Sequence, residues 1–194
     1  MRKVAVFGLG KFGGSVATSL YEKGVDVLAV DKDIDIVNEF KDQVTDAVSF
    51  DGTIRENLNE IEISHMDCVV VAIGEDFESS VLITQLCKES GVSKVIAKAL
   101  TEQQGKVLQL VGADSVVYPE EEMGERLAEH LTHESVVDFV ELPEGFSLRK
   151  LKLPVEWNQK TIGELELMKK KMNLVQVERE GGKKYPLPTG EFLL

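Results

Sequence analysis

The chain is poor in cysteine, in positive charge and in long apolar runs, and each shortage excludes something. Its two cysteines, Cys68 and Cys87, show no metal-ligand spacing. Cys68 opens an apolar run and Cys87 sits beside Leu86 in a helical pattern, so both read as small core residues of a reducing compartment. Lys and Arg total 22 against 34 Asp and Glu, a net charge of −12, which argues against a nucleic-acid backbone as ligand, because neutralising phosphates needs surplus cations. The longest clean apolar run, Cys68 to Ile73, is far too short to cross a bilayer. Met1-Arg2-Lys3 leads straight into a strand pattern with no leader segment. A cytoplasmic protein is expected, reaching any membrane only through a partner and inserting nothing itself. With 194 residues, one domain or one domain with a small appendage is expected.

What is present begins at Val4. The apolar run Val4–Phe7 reads as a buried parallel strand, followed at once by glycines at 8, 10 and 13. Phe12, Val16 and Leu20 then recur at helical spacing, and a second apolar run, Val25–Val30, ends in Asp31. Strand, glycine turn, helix, strand and terminal acid make the nucleotide-binding fingerprint of a βαβ unit. Asp31 stands 18 residues beyond Gly13.

The alternation continues. Asp33 can cap a helix carrying Ile34, Val37 and Phe40, and strands are expected at 47–50, 68–73, 94–99 and 115–118. Helices fall between them, one opened by the Thr101/Gln104 capping pattern and the last by Pro119. Six β-then-α repeats in about 130 residues predict an α/β, doubly wound parallel (Rossmann-like) sheet of about six strands. Beyond His133 the rhythm changes. Val136–Leu142 reads equally as strand or arm, Thr161 as the cap of a short helix through Met168, and 174–177 and 183–187 as a strand pair. The expected organisation is a nucleotide domain at 1–132, a connecting arm at 133–145 and a small α+β lobe at 146–194, expected either to pack on a partner copy or to be truncated near its last strand, since 49 residues scarcely make a core.

In a doubly wound sheet the ligand lies at the carboxyl ends of the strands. The candidate nucleotide contacts there are Gly8, Gly10, Lys11, Phe12 and Gly13; Asp31, Lys32 and Asp33; Asp51 and Gly52; Ile73, Gly74 and Glu75; Lys98 and Ala99; and Glu120, with Arg126 further along the last helix. Gly10 lets backbone approach a phosphate, and Gly13 permits close packing of helix on strand. Lys11 opposes the dipole of the helix it opens, a local conflict that a bound phosphate would offset. Asp31 suits ribose hydroxyls and repels a 2′-phosphate, disfavouring NADP. Neither residue separates NAD from ATP or ADP. For Glu120, Glu121 and Glu122 the favourable field of a helix start is sufficient reason; Glu125 and Arg126 lie farther in. His130 and His133 read as solvated surface rather than a metal site. No Tyr-x-x-x-Lys pair exists, no histidine falls at a strand terminus, and the nucleotide domain leaves no room for a substrate domain.

Val-Phe-Gly-Leu-Gly-Lys-Phe-Gly-Gly-Ser from Val6, Phe-Asp-Gly-Thr from Phe50, Val-Ala-Ile-Gly-Glu-Asp from Val71 and Tyr-Pro-Glu-Glu-Glu-Met-Gly-Glu-Arg-Leu-Ala from Tyr118 resemble the RCK (KTN) regulatory domain of Ktr and Trk potassium transporters, the Ktr type more closely. The likeness extends through Gln-Lys-Thr-Ile-Gly-Glu-Leu and Asn-Leu-Val-Gln-Val-Glu-Arg-Glu-Gly of the second lobe. It implies a non-enzymatic gating subunit, dimers assembling into an octameric ring docked on a membrane potassium-transporting subunit at the inner face of the plasma membrane. ATP, ADP or NAD(H) would change the ring's shape and so the conductance. The resemblance also implies phosphate contact at Lys11 and a divalent cation, magnesium or calcium, at Glu125 near the γ-phosphate. The family's second lobe can bind cyclic di-AMP; the lack of a Gly-Asp-x-Leu run after Leu194 argues against that here. The rival readings are a small NAD-dependent oxidoreductase or NAD-binding redox sensor, and an NAD-binding assembly module.

Overall fold

The computed structural model describes residues 2–132, 136–142 and 146–194, which form two compact units, Met1–Gly124 and Glu125–Leu194. The first unit holds six parallel strands, β1 (Lys3–Phe7), β2 (Asp26–Asp31), β3 (Asp46–Ser49), β4 (Cys68–Val71), β5 (Val95–Lys98) and β6 (Ser115–Val117), in the order β3-β2-β1-β4-β5-β6. Helices α1 (Lys11–Glu22), α2 (Ile34–Phe40), α3 (Arg55–Glu60), α4 (Phe77–Glu89) and α5 (Glu102–Leu110) make the crossovers. Helix α6 (Pro119–Thr132) begins in this unit and ends in the next.

The strands are apolar on both sides because both faces are covered. Val4 and Val6 enter one cluster with Ala17, Val37 and Val70, while Ala5 and Phe7 enter the other with Leu58, Ile83 and Leu108. Successive side chains of a strand point to opposite faces, so four consecutive buried residues in β1 and in β4 need two cores, one per face. Cys68 and Cys87 are both buried and free, one in each cluster. Burial pushes the Cys87 thiol up to about 12, so it packs as an inert small hydrophobe. Two helix starts follow the sequence signals, Asp33 accepting from the amide of Asp35 and Thr101 from that of Gln104, and Asp76 likewise caps α4 by accepting from the amide of Ser79.

The second unit is thinly packed. Strand β7 (Val136–Leu142), the segment that read as strand or arm, pairs antiparallel with β8 (Phe146–Leu151), and β9 (Gln176–Glu178) with β10 (Lys184–Pro186). Leu165 and Leu167 are buried, but Val155, Met168 and Leu187 are more than three-quarters exposed. The helix expected after Thr161 does not form. Thr161 and Glu164 do exchange the reciprocal bonds of a capping box. The chain then takes left-handed backbone at Glu166 (φ 48°) and Lys171 (φ 56°), leaving only a 3₁₀ turn at Leu167–Lys170. Left-handed non-glycine residues cannot propagate an α-helix.

The two-core architecture makes a direct prediction. Leu108→Ala removes a fully buried side chain from under α5 and should cost about 2–5 kcal/mol in urea denaturation. Lys106→Ala on the same helix loses only an exposed pair with Glu102 and should cost under about 0.5 kcal/mol.

Candidate functional site

The chain order reverses between β1 and β4, and the crevice outside their carboxyl ends is where this architecture receives a ligand. The glycine loop is pinned there from both sides. The Gly8 amide donates to Val30 of β2 (2.8 Å), and the Ala72 amide donates to Phe7 (2.7 Å). Gly8 has φ +87°, a conformation that side-chain-bearing residues rarely adopt. A Cβ on Gly13 would stand 1.9 Å from the Gly8 carbonyl oxygen and 2.8 Å from the Ala72 methyl. Close approach of α1 to the turn therefore requires glycine at 13. Nothing lies within 4 Å of where a Cβ on Gly10 would be, so the loop's backbone is open to a ligand at that point. Lys11 is the exposed first residue of α1, and half-buried Phe12 follows it.

Asp31 has a role that its position at the end of β2 did not reveal. Its carboxylate accepts from the amide of Leu9 (2.7 Å) and from that of Asp33 (3.0 Å), tying the glycine loop to the β2 turn. A carboxylate has about four acceptor sites, so two remain for ribose hydroxyls. Asp33 caps α2 through Asp35 (2.9 Å). Lys32 reaches across to Asp76, 3.7 Å away, a residue of the β4 turn that was not among the candidate contacts. Asp76 also accepts from the amide and hydroxyl of Ser79, and these bonds hold its carboxyl below the usual range. The Thr53 hydroxyl and amide do the same for Asp51. Gly52 lies against Phe7 and Ile83, where a Cβ would be tight at 3.0 Å.

At the β5 end the side chain of Lys98 is only 9% exposed, unusual for a lysine, and its Nζ donates to Oε1 of Glu120 at 2.5 Å. The ammonium also lies 5.8 Å from the Phe12 ring centroid and 3.4 Å from where a Cβ on Gly74 would stand. It is thus a fixed cation between the glycine loop and the β4 turn formed by Ile73, Gly74 and Glu75. Ala99 follows it, buried. The field of the helix start alone does not account for Glu120, as the sequence reading supposed; its partner is Lys98. Glu125 and Arg126 follow on α6, across the division between the units.

One correction concerns histidine. His130 is half-buried, and its Nε2 is shielded with no hydrogen-bond partner among the described residues, so it is not solvated surface; His133 lies outside the described residues. Among the described residues no cluster of three or more His, Cys, Asp or Glu could hold a metal ion. In the first unit a hollow of about 470 Å³, beside Arg55, Glu62 and His65, is lined by none of the crevice residues; in the second, one of about 360 Å³ is lined by Ile162, Leu167 and Met172. The convergence of open backbone, carboxylates and a buried ammonium marks the site better than concavity does.

Fold and site together define an α/β domain of the nucleotide-binding class. Residues 4–119 match the family described as the TrkA-N domain, and the chain belongs to that family. The Ktr system potassium uptake protein C of Bacillus subtilis (strain 168) is 37% identical over 92% of this chain and 81% of its own length. The Ktr system potassium uptake protein A of Vibrio alginolyticus is 36% identical over 87% of this chain and 76% of its own. Among solved structures, the GsuK channel bound to NAD superposes with a TM-score of 0.61 at 22% identity, covering 100% of this chain and 34% of that one. The TrkA-N domain of the inner membrane protein ybaL from Escherichia coli gives 0.61 at 18% identity, covering 67% and 96%. These superpositions bear on the fold, which is that of RCK domains.

The Lys98–Glu120 pair should be visible in the pH dependence of stability. The Lys98 ammonium donates to the Glu120 carboxylate and holds its pKa below the usual glutamate range. A depressed carboxyl contributes stability above its unfolded pKa and loses it as pH falls through the folded one. Wild type should exceed Glu120→Gln in urea midpoint at pH 7, and the gap should close on the acid side of the glutamate range. A gap unchanged at pH 3 would contradict the pairing.

Proposed function

We propose that this chain is a nucleotide-sensing regulatory subunit that gates a membrane potassium transporter. The observation that carries the reading is its 37% identity to a Ktr system potassium uptake protein across most of both chains. The crevice supports it. Gly8, Gly10, Lys11, Phe12 and Gly13 would receive the phosphates, and Asp31, Lys32 and Asp33 the ribose. Asp51, Gly52, Ile73, Gly74 and Glu75 would border the base, with Lys98, Ala99 and Glu120 on the far side; Arg126 remains a candidate contact from the sequence alone.

Adenine nucleotides are the ligand class, ATP or ADP foremost and NAD(H) next; solved relatives of the same fold carry NAD and, in the GsuK structure at 16% identity, ADP. A divalent cation, magnesium or calcium, would enter with ATP at Glu125. A single carboxylate makes no cage, so triphosphate and water oxygens would complete its shell. Among the described residues no helix is long and apolar enough to cross a membrane. The chain would work at the cytoplasmic face through its transporting partner. Assembly as dimers in an octameric ring would cover the apolar side chains of Met123, Leu127 and Leu131 on α6 and Val140 and Leu148 on the hairpin, each at least half exposed.

Gating of this kind requires a ligand that binds one shape better than another. ATP and ADP would bind with similar affinity and favour different assembly geometries. The oxidoreductase alternative lacks support in the crevice: His65 precedes β4, at the opposite edge of the sheet. The test is small-angle scattering of the oligomer with each nucleotide, together with potassium flux after reconstitution with the membrane subunit. Identical scattering and identical flux with ATP and ADP would overturn the reading. In calorimetry Asp31→Ala should weaken ATP, ADP and NAD alike by roughly ten- to a hundredfold, as expected for losing hydrogen bonds to a charged acceptor. Unchanged binding would remove Asp31 from the site.

A further inference from the structure

Lys98 and Glu120 are mismatched partners. The lysine side chain is 9% exposed and the glutamate side chain 63% exposed. A buried ammonium left without a counter-ion is costly, so Lys98 needs an anion beside it at all times. Glu120 has no such need. It sits at the mouth of the crevice on the second residue of α6, where the helix start favours a carboxylate whether or not Lys98 is bound to it. Its solvation can be restored by a rotamer change. The ammonium faces the glycine loop and the β4 turn, with Phe12 and Gly74 as its other neighbours. A phosphate chain laid along the open backbone at Gly10 would extend toward it.

We propose that Glu120 is an internal anion that competes with the ligand's phosphate for Lys98, making the crevice selective for phosphorylated adenosine ligands by ion exchange. The inference rests on the nucleotide-binding reading above and concerns how that site discriminates. On binding, one ammonium–carboxylate pair is replaced by one ammonium–phosphate pair, so the buried cation is never left bare. The exchange costs the ligand the affinity it spends displacing Glu120, and it releases the first turn of α6 from the end of β5. Adenosine, having no phosphate, would bind without disturbing the pair. A ligand with phosphate would both bind and loosen the start of α6, so occupancy and response are linked through one side chain. The neighbouring cap does not depend on the pair, since Glu122 separately accepts from the Tyr118 amide (3.3 Å).

The experiment is isothermal calorimetry of ADP and adenosine, with EDTA present to remove cations, on full-length wild type, Glu120→Gln and Lys98→Gln. Backbone hydrogen exchange over 119–124 is followed in parallel. Relative to wild type, Glu120→Gln should bind ADP roughly tenfold more tightly, a factor equal to about 1.4 kcal/mol, and adenosine equally well. Lys98→Gln should lose ADP affinity and keep adenosine affinity. ADP, but not adenosine, should speed exchange over 119–124 in wild type, and Glu120→Gln should exchange fast there before any ligand is added. Weaker or unchanged ADP binding by Glu120→Gln, with its melting transition intact, would overturn the competition and leave Glu120 as a support for Lys98. Failure of wild type to bind any adenine nucleotide would instead overturn the nucleotide-binding reading itself.

Discussion

A single absent carbon governs the carboxyl edge of this sheet. Because Gly13 has no Cβ, helix α1 can approach until its backbone nearly meets the Gly8 carbonyl and the Ala72 methyl. That approach fixes where α1 begins, and so where Lys11 and Phe12 stand. It also brings the glycine loop against the β4 turn, where Ala72 bonds Phe7. Asp31 completes the arrangement by drawing the Leu9 amide toward β2. The loop is therefore held by three strands and one carboxylate. Preorganisation of this kind lowers the ordering cost of binding.

The crevice is electrically lopsided as a consequence of topology. Strands β2 and β3, on one side of the switch point, lead into Asp31 and Asp51, whose carboxylates are engaged by backbone amides and the Thr53 hydroxyl. Such groups are acceptors suited to ribose hydroxyls and amino groups. On the other side β5 ends in the buried ammonium of Lys98. A ligand with neutral donors at one end and negative charge at the other matches this gradient in one direction only. An adenosine phosphate has that polarity. A second phosphate at the ribose would face Asp31, and the same gradient would repel it.

How much of this could be read in advance depended on the range of the interaction. The central strands β1 and β4 were legible because burial on both faces leaves uninterrupted apolar runs, and two helix starts because Asp33 and Thr101 cap amides two or three residues away. The pairing of Lys98 with Glu120 was not legible. They are 22 residues apart, and their meeting depends on β5 being followed by α5 and β6 before α6 turns back. The sequence offered only that each falls at a strand end. Asp31 shows the same limit: an acid at the end of β2 signals ribose, but its bond to Leu9 depends on the path of the glycine loop. At Thr161 a genuine local signal misled. The capping box forms, yet the backbone turns left-handed at Glu166, and tertiary packing rather than the cap decides whether a helix continues.

The two units differ in how they resolve the same shortage of core. The first buries apolar residues on both faces of its sheet and leaves its chemistry at one edge. The second has Leu165 and Leu167 buried, while Val155, Met168 and Leu187 face solvent. With so little interior among its described residues, this unit draws little stability from their packing, and apolar surface of this kind is ordinarily covered by another chain. Helix α6 carries the same character along its length. Its first turn is held by polar contacts at Glu120 and Glu122, whereas Met123, Leu127 and Leu131 recur at four-residue spacing and are exposed. The helix thus has a charged end at the crevice and an exposed apolar stripe along its length. A change in what Glu120 holds would act on the element that carries this stripe.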